Sequence, residues 1–158
     1  LAIQNSRRDS ERNRAATINA TKQTIYGQAI SENIRKKSDL IITLTSHFIT
    51  YCIELILNEN KIVTNKFDYS KTRVELVLIF NKLKLLIGNN GRGAGYDVVL
   101  KLNRLLDDVE NYYKNVYKND EVNCISCKEI IESETNILTE LVNKYISNLE
   151  SELKKNFE

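Results

Sequence analysis

The sequence predicts an all-α fold, an antiparallel up-and-down bundle of about four helices in which residues 1–158 form a single helical domain. The chain has no proline, a residue that interrupts helices and for which average usage would give about eight in this length. Apolar residues recur at the three- and four-residue spacing of a helical face. Strict two-residue alternation never extends far enough to form a sheet, so helices must supply the whole core.

The first helical region is predicted from about Asp9 to Asn58, either as one long helix or broken near Ser38. Because 50 helical residues extend roughly 75 Å, we expect a break or an unsupported end, with Ser38 or Asp39 able to cap a new start. Residues 1–17 are too polar to pack tightly, and we interpret them as a frayed or partner-contacting extension. The apolar stripe of this region is Ile18, Ile25, Ala29, Ile34, Ile41, Leu44, Phe48, Cys52 and Leu55.

A second helix is predicted from about Ser70 to Ile87, after a polar connector from Asn58 to Tyr69. Asp68 or Ser70 can cap its first turn by accepting a hydrogen bond from a free backbone amide. The apolar residues of this helix occupy more than one face, which predicts a centrally buried element. Lys61 to Thr64 is the only segment of the connector that suggests an extended strand.

The third helix is predicted to start at an Asp97 cap and the fourth near Cys127. Ser126 and Glu129 match the spacing of a reciprocal capping box, which indicates the start of the fourth helix. The stripes of the two helices are Val98, Leu102, Leu105, Leu106, Val109, Tyr112, Tyr113 and Val116, then Ile130, Ile131, Leu138, Leu141, Val142, Tyr145, Leu149 and Leu153.

The segment GNNGRGAGYD, residues 88–97, holds four of the five glycines and lies between two apolar segments. A phosphate could bind at the start of the helix that follows, beside Arg92. However, the glycine spacing matches neither common phosphate-binding motif, and no strand precedes it. We therefore interpret it as a connector in which Gly88 ends one helix. No cofactor is predicted, and a further role for the segment stays open.

The three cysteines, Cys52, Cys124 and Cys127, suggest a disulfide more than a metal or redox site. A structural zinc site needs about four ligands, and the chain has only one histidine, His47, beside its three cysteines, so zinc is unlikely. The Cys-x-x-Cys pair lacks the βαβ context of a redox centre, although Cys127 at a helix start is expected to have a lowered thiol pKa. Antiparallel packing predicts a disulfide of Cys52 with Cys127 (or Cys124), which leaves one odd thiol.

Charge and aromatic residues supply the candidates for partner contact. Residues 1–39 carry eight Lys or Arg against four Asp or Glu, but the pI of 8.4 makes nucleic acid an unlikely partner. Tyrosine is enriched at protein interfaces, although core packing is the stronger interpretation of a helical aromatic stripe. The candidate contact residues are Arg7, Arg8, Arg12, Arg14, Tyr112, Tyr113 and Tyr117.

The functional expectation is a non-enzymatic helical domain, secreted or displayed at the cell surface, that binds a host or partner protein. No catalytic set, metal site or membrane span is predicted, since no uninterrupted apolar run approaches roughly 18 residues. The main alternative is an intracellular, cytoplasmic adaptor or immunity-type bundle with reduced cysteines. A nucleic-acid-binding bundle and a carrier of small apolar ligands are weaker alternatives. The oligomeric state and the identity of the partner stay open.

Overall fold

The computed structural model describes residues 2–88 and 91–157 and consists of helices joined by short connections. Within these residues it contains no strand and is 91% helical. The predicted all-α bundle is therefore confirmed. The helices are α1 (Ala2–Leu57), α2 (Glu59–Val63), α3 (Tyr69–Ile87), α4 (Ala94–Tyr117) and α5 (Glu121–Phe157).

The four long helices pack as an up-and-down bundle. α1 contacts α3 and α5, α4 contacts α3 and α5, and the short α2 lies against α4. The connections at residues 88–93 and 118–120 are too short for anything but antiparallel neighbours. The end of α1, the start of α3, the end of α4 and the start of α5 therefore meet at one end of the bundle.

The core lies where one face of each long helix meets the others. Phe48, Leu83, Leu102 and Leu138, one from each long helix, are fully buried. Burial of each such side chain stabilises the fold by about 1.5–3 kcal/mol. The predicted stripe of α4 is confirmed by its buried residues, which are Val98, Leu102, Leu105, Val109, Tyr112 and Val116.

Of the two alternatives for the first helix, the long one is confirmed and the break near Ser38 is not, because one helix continues through Ser38, which is buried. No proline or glycine lies near this position to interrupt the helix. The predicted stripe was also wrong at its amino-terminal end, because Ile18 and Ile25 are 54% and 59% exposed. The step from Ala29 to Ile34 spans five residues, about 140° around the axis, so the two parts of the stripe lie on different sides.

The helix α3 is not the central element that its many apolar residues suggested. Its buried face includes Leu76, Ile79 and Leu83, whereas Leu85 is 84% exposed. α3 packs against α1 and α4 but has little contact with α5, so the rest of its surface has no helix to cover it. Apolar content therefore overstated the burial of this helix.

The start of α3 follows the prediction, but the connector before it does not. The Asp68 carboxylate accepts a hydrogen bond from the Lys71 amide at 3.2 Å, which confirms the predicted cap. The segment predicted to be extended, Lys61 to Thr64, lies largely within α2. Ile62 is buried on that helix and anchors it to the core.

The starts of α4 and α5 both precede the predicted positions. α4 begins at Ala94 after Gly93, so Asp97 lies in its first turn and is not the cap. α5 begins at Glu121, where the Asp120 carboxylate accepts a hydrogen bond from the Asn123 amide at 3.2 Å. The helix is therefore capped at Asp120 and not by the predicted capping box at Ser126 and Glu129.

The glycine-rich connector brings α3, α4 and α5 into close contact. Gly88 and Gly93 have φ angles of 80° and 91°, a region that glycine adopts at little cost, and they flank the turn between α3 and α4. Gly95 lies against Ile87 and Tyr145, and the Tyr145 hydroxyl donates a hydrogen bond to the Ile87 carbonyl at 3.5 Å. Gly88 therefore ends α3 as predicted.

Among the described residues, α1 alone is long and apolar enough to cross a membrane. An 18-residue window of it has a mean hydropathy of 1.8, and a third of that window is buried in the bundle. The core helix of a globular domain meets the same criteria, and Ile41, Phe48 and Leu55 of α1 are core residues.

Candidate partner-binding surface

Three tyrosines stack at the end of the bundle where α3 starts and α4 ends. The ring centroids of Tyr69 and Tyr113 are 3.9 Å apart with an interplanar angle of 9°. Those of Tyr113 and Tyr117, one turn apart on α4, are separated by 6.2 Å at 27°. The stack runs from the half-buried Tyr69 to Tyr117, which is 65% exposed. It therefore presents an aromatic ring to solvent on a rigid support.

The environment of Tyr69 keeps its phenol protonated. Burial raises the pKa of Tyr69 to about 12, with a further contribution from the Glu110 carboxylate, while Arg73 acts in the opposite direction. Tyr69 is therefore uncharged near neutral pH. An uncharged aromatic surface loses less free energy when a partner removes it from water.

Other exposed apolar side chains lie at the same end of the bundle. Leu57 at the end of α1, Val63 at the end of α2 and Val122 at the start of α5 are all more than half exposed. We define the tyrosine surface as the three stacked tyrosines with these three side chains. Together these six side chains make this end of the bundle partly apolar and aromatic.

Tyr112 does not belong to this surface, contrary to the prediction of a partner contact. Its side chain is fully buried in the core, and its hydroxyl has no hydrogen-bond partner. Burial, and then the nearby Glu59 carboxylate, raise the pKa of Tyr112. Tyr112 therefore points into the core, whereas Tyr113 is half-buried and Tyr117 is exposed.

The four candidate arginines lie far from the tyrosines. Arg7, Arg8, Arg12 and Arg14 are exposed on α1. We name residues 3–36 of α1 the N-terminal arm, because none of them is buried and the first buried residue is Ser38. The arm is about 50 Å long and extends from the opposite end of the bundle to the one that carries the tyrosine surface. The structure therefore separates the predicted contact residues into two regions.

A surface cleft lies between the arm and the end of α5. Its lining includes Tyr26 and Ile34 of α1 and Glu150 and Leu153 of α5. The cleft forms because α5 is longer than α3 and α4, so that its last turns lie beside α1 beyond the core. Sequence reasoning missed it, although the greater length of the first and last helices was a usable signal.

The predicted disulfide is absent, since Cys52, Cys124 and Cys127 are all free and no two lie at bonding distance. Cys52 is fully buried, and burial raises the pKa of its thiol to about 12. Cys127 lies in the second turn of α5, where its sulfur accepts a hydrogen bond from the Asn115 amide at 3.3 Å. The prediction that Cys127 lies at the start of a helix is therefore wrong.

Polar groups between α4 and α5 serve the packing of these helices. Lys101 pairs with Glu134, and both side chains are largely buried. Burial, and then the charge of Glu134, raise the pKa of the neighbouring Asp108. Residues 2–88 and 91–157 contain no group of three or more His, Cys, Asp or Glu that could hold a metal ion.

Comparison with known proteins adds no family to this description. No family model matches the chain, and neither does a curated protein or a solved structure.

Proposed function

We propose that this chain is a non-enzymatic helical domain that binds a partner protein through its tyrosine surface. The observation that carries the proposal is the exposed Tyr117 ring, held in place by the stack beneath it. Tyrosine loses little conformational entropy on binding and is enriched among the residues that dominate interface energies. Leu57, Val63 and Val122 supply apolar area around it at the same end of the bundle.

The proposed location is secreted or at the cell surface, where the partner is a host protein or another surface protein. The three free cysteines favour a second candidate, an intracellular adaptor or immunity-type bundle. Structural disulfides persist in oxidising compartments, whereas cytosolic thiols are kept reduced. Both candidates use the same surface and differ in the partner that it meets.

The test compares the wild-type domain with Tyr117→Ala as immobilised bait, and then measures the affinity of each captured protein. We expect the substitution to lower the affinity for the specific partner at least tenfold, which corresponds to about 1.4 kcal/mol of binding free energy. Tyr96→Ala is the matched control, because Tyr96 is partly exposed but lies at the opposite end of α4. Equal affinity of wild type and Tyr117→Ala for every captured protein would refute the proposed surface.

A further inference from the structure

The chain exposes far more surface than a compact monomer of its size. Its accessible surface is 11215 Å² for a mass of 18.3 kDa. A compact monomer of this mass is expected to expose about 8,100 Å², so the excess is roughly 3,000 Å². Obligate homodimers bury on the order of 2,000–5,000 Å² or more over both partners together, so covering about half of this excess on each chain would be enough.

Much of the excess belongs to the N-terminal arm. Residues 3–36 are exposed or half-exposed throughout, and they approach the remainder of the chain only near the end of α5. In water, helical segments without tertiary contacts are marginally stable, and packing of one face normally supplies their stability. The arm therefore needs a surface outside its own bundle.

The charges of the arm and of α5 are complementary. The arm carries seven Lys or Arg against three Asp or Glu, a net charge of +4, whereas α5 carries four Lys against seven Glu, a net charge of −3. Glu129, Glu132 and Glu140 are exposed on α5. An acidic helix surface of this kind attracts a basic helix that lies along it.

The exposed isoleucines of the two helices also have matching spacing. Ile18 and Ile25 of the arm are seven residues apart, as are Ile130 and Ile137 of α5, and all four are exposed. Seven residues are close to two helical turns, so each pair projects from one side of its helix. The two pairs can pack as neighbouring ridges when the helices lie side by side.

We propose that the occupant of this surface is a second copy of the chain, with each N-terminal arm lying along α5 of the other copy. Within one chain α1 and α5 are antiparallel, so a two-fold axis perpendicular to the helices places each arm parallel to the partner's α5. The same contact then forms twice, as a closed two-fold dimer requires.

The first test measures the molar mass of the intact chain by sedimentation equilibrium over a range of concentrations. We expect a dimer for the wild type and a monomer for the double variant Ile18→Glu and Ile25→Glu. Because both side chains are exposed, these substitutions do not disturb the core. Leu85→Glu is the matched control, since Leu85 is exposed on α3 outside both contact regions, and it should remain a dimer.

A second test assigns α5 as the surface that receives the arm. One variant reverses the arm charges (Arg7→Glu, Arg14→Glu and Lys22→Glu), and the other reverses the α5 charges (Glu129→Lys, Glu132→Lys and Glu140→Lys). We expect each variant alone to be monomeric and an equimolar mixture to form a heterodimer, since both contacts regain opposite charges.

Three results would overturn the proposal. One is a wild-type chain that is monomeric at every concentration, which would leave the arm to another kind of molecule. Another is a dimer that survives the paired isoleucine substitution. The third is a dimer that survives the α5 reversal alone, which would show that the arms contact each other and not α5.

Discussion

The substitution Gly95→Ala tests the close packing at the corner between α3, α4 and α5. A β-carbon at position 95 would lie 2.8 Å from the Ile87 Cγ2 atom and 3.1 Å from the Tyr145 Cε2 atom. Neither neighbour moves freely. Ile87 is a buried, β-branched residue, and the Tyr145 ring is buried with its hydroxyl bonded to the Ile87 carbonyl.

Two effects of opposite sign compete in this variant. Alanine is favoured over glycine in a helix interior by about 1 kcal/mol, and by less this close to a helix start. Adding a methyl group to a filled space costs typically 1–3 kcal/mol. The steric cost is the larger effect, so we expect Gly95→Ala to lower the free energy of unfolding by about 1 kcal/mol. For a chain of this length that corresponds to a fall in Tm of roughly 2–4 °C.

Urea and thermal unfolding followed by circular dichroism measure this change directly. Repeating the substitution in an Ile87→Leu background supplies the control, because leucine has no methyl group on its β-carbon and relieves the 2.8 Å contact. The cost of Gly95→Ala should be smaller there. An unchanged or increased stability of the single variant would refute the close approach of these three residues.

Three further perturbations test the core, the thiols and the seam between α4 and α5. Leu102→Ala should lower the free energy of unfolding by about 2–5 kcal/mol, whereas the exposed Leu100→Ala should cost less than about 1 kcal/mol, and equal costs would contradict the assigned core. In native protein without reductant, Cys52 should resist an aromatic disulfide reagent while Cys127 reacts. In unfolded protein all three thiols should react. Modification of Cys52 as fast as Cys127 in the native protein would contradict the burial of Cys52. Asp108→Asn should stabilise the fold at neutral pH, because a carboxyl group with a raised pKa lowers the stability of the fold when it ionises as pH rises. The gain in stability should shrink as pH falls toward 3.8, the ordinary pKa of the group. A gain that does not depend on pH would contradict the raised pKa of Asp108.

The fold class and the core of α4 could be predicted because local signals and packing agree there. The α4 stripe has regular three- and four-residue spacing. All of its predicted residues are buried except Leu106 and Tyr113, which are half-buried. The Asp68 cap was also visible, since a short carboxylate before an apolar run satisfies a free amide in any context. These features depend on residues close together in the chain.

The features that sequence reasoning missed depend on which helices lie beside each other. Apolar content alone could not show that α3 packs mainly against α1 and α4 and has little contact with α5, or that Leu85 faces water. The start of α5 was misplaced because Asp120 caps it six residues before the more conspicuous box at Ser126. The distance between Cys52 and Cys127 likewise follows from helix packing and not from their spacing in sequence.

The tyrosine stack was only half visible in the sequence. Tyr113 and Tyr117 were recognised as candidates because tyrosines cluster on this predicted helix and tyrosine is enriched at protein interfaces. Tyr69 was not, because it lies on a different helix and 44 positions earlier in the chain. Their assembly is a consequence of the antiparallel pairing of α3 and α4.

Hydrogen exchange of the backbone amides at two protein concentrations tests most directly whether a bundle core carries an arm that a second copy covers. Amides in the buried segments of α1, α3, α4 and α5 should be protected at both concentrations. Amides of residues 3–36 should exchange rapidly in dilute protein and slowly once dimers form. An arm whose exchange rate is the same at both concentrations, over a range in which the molar mass changes, would contradict the account.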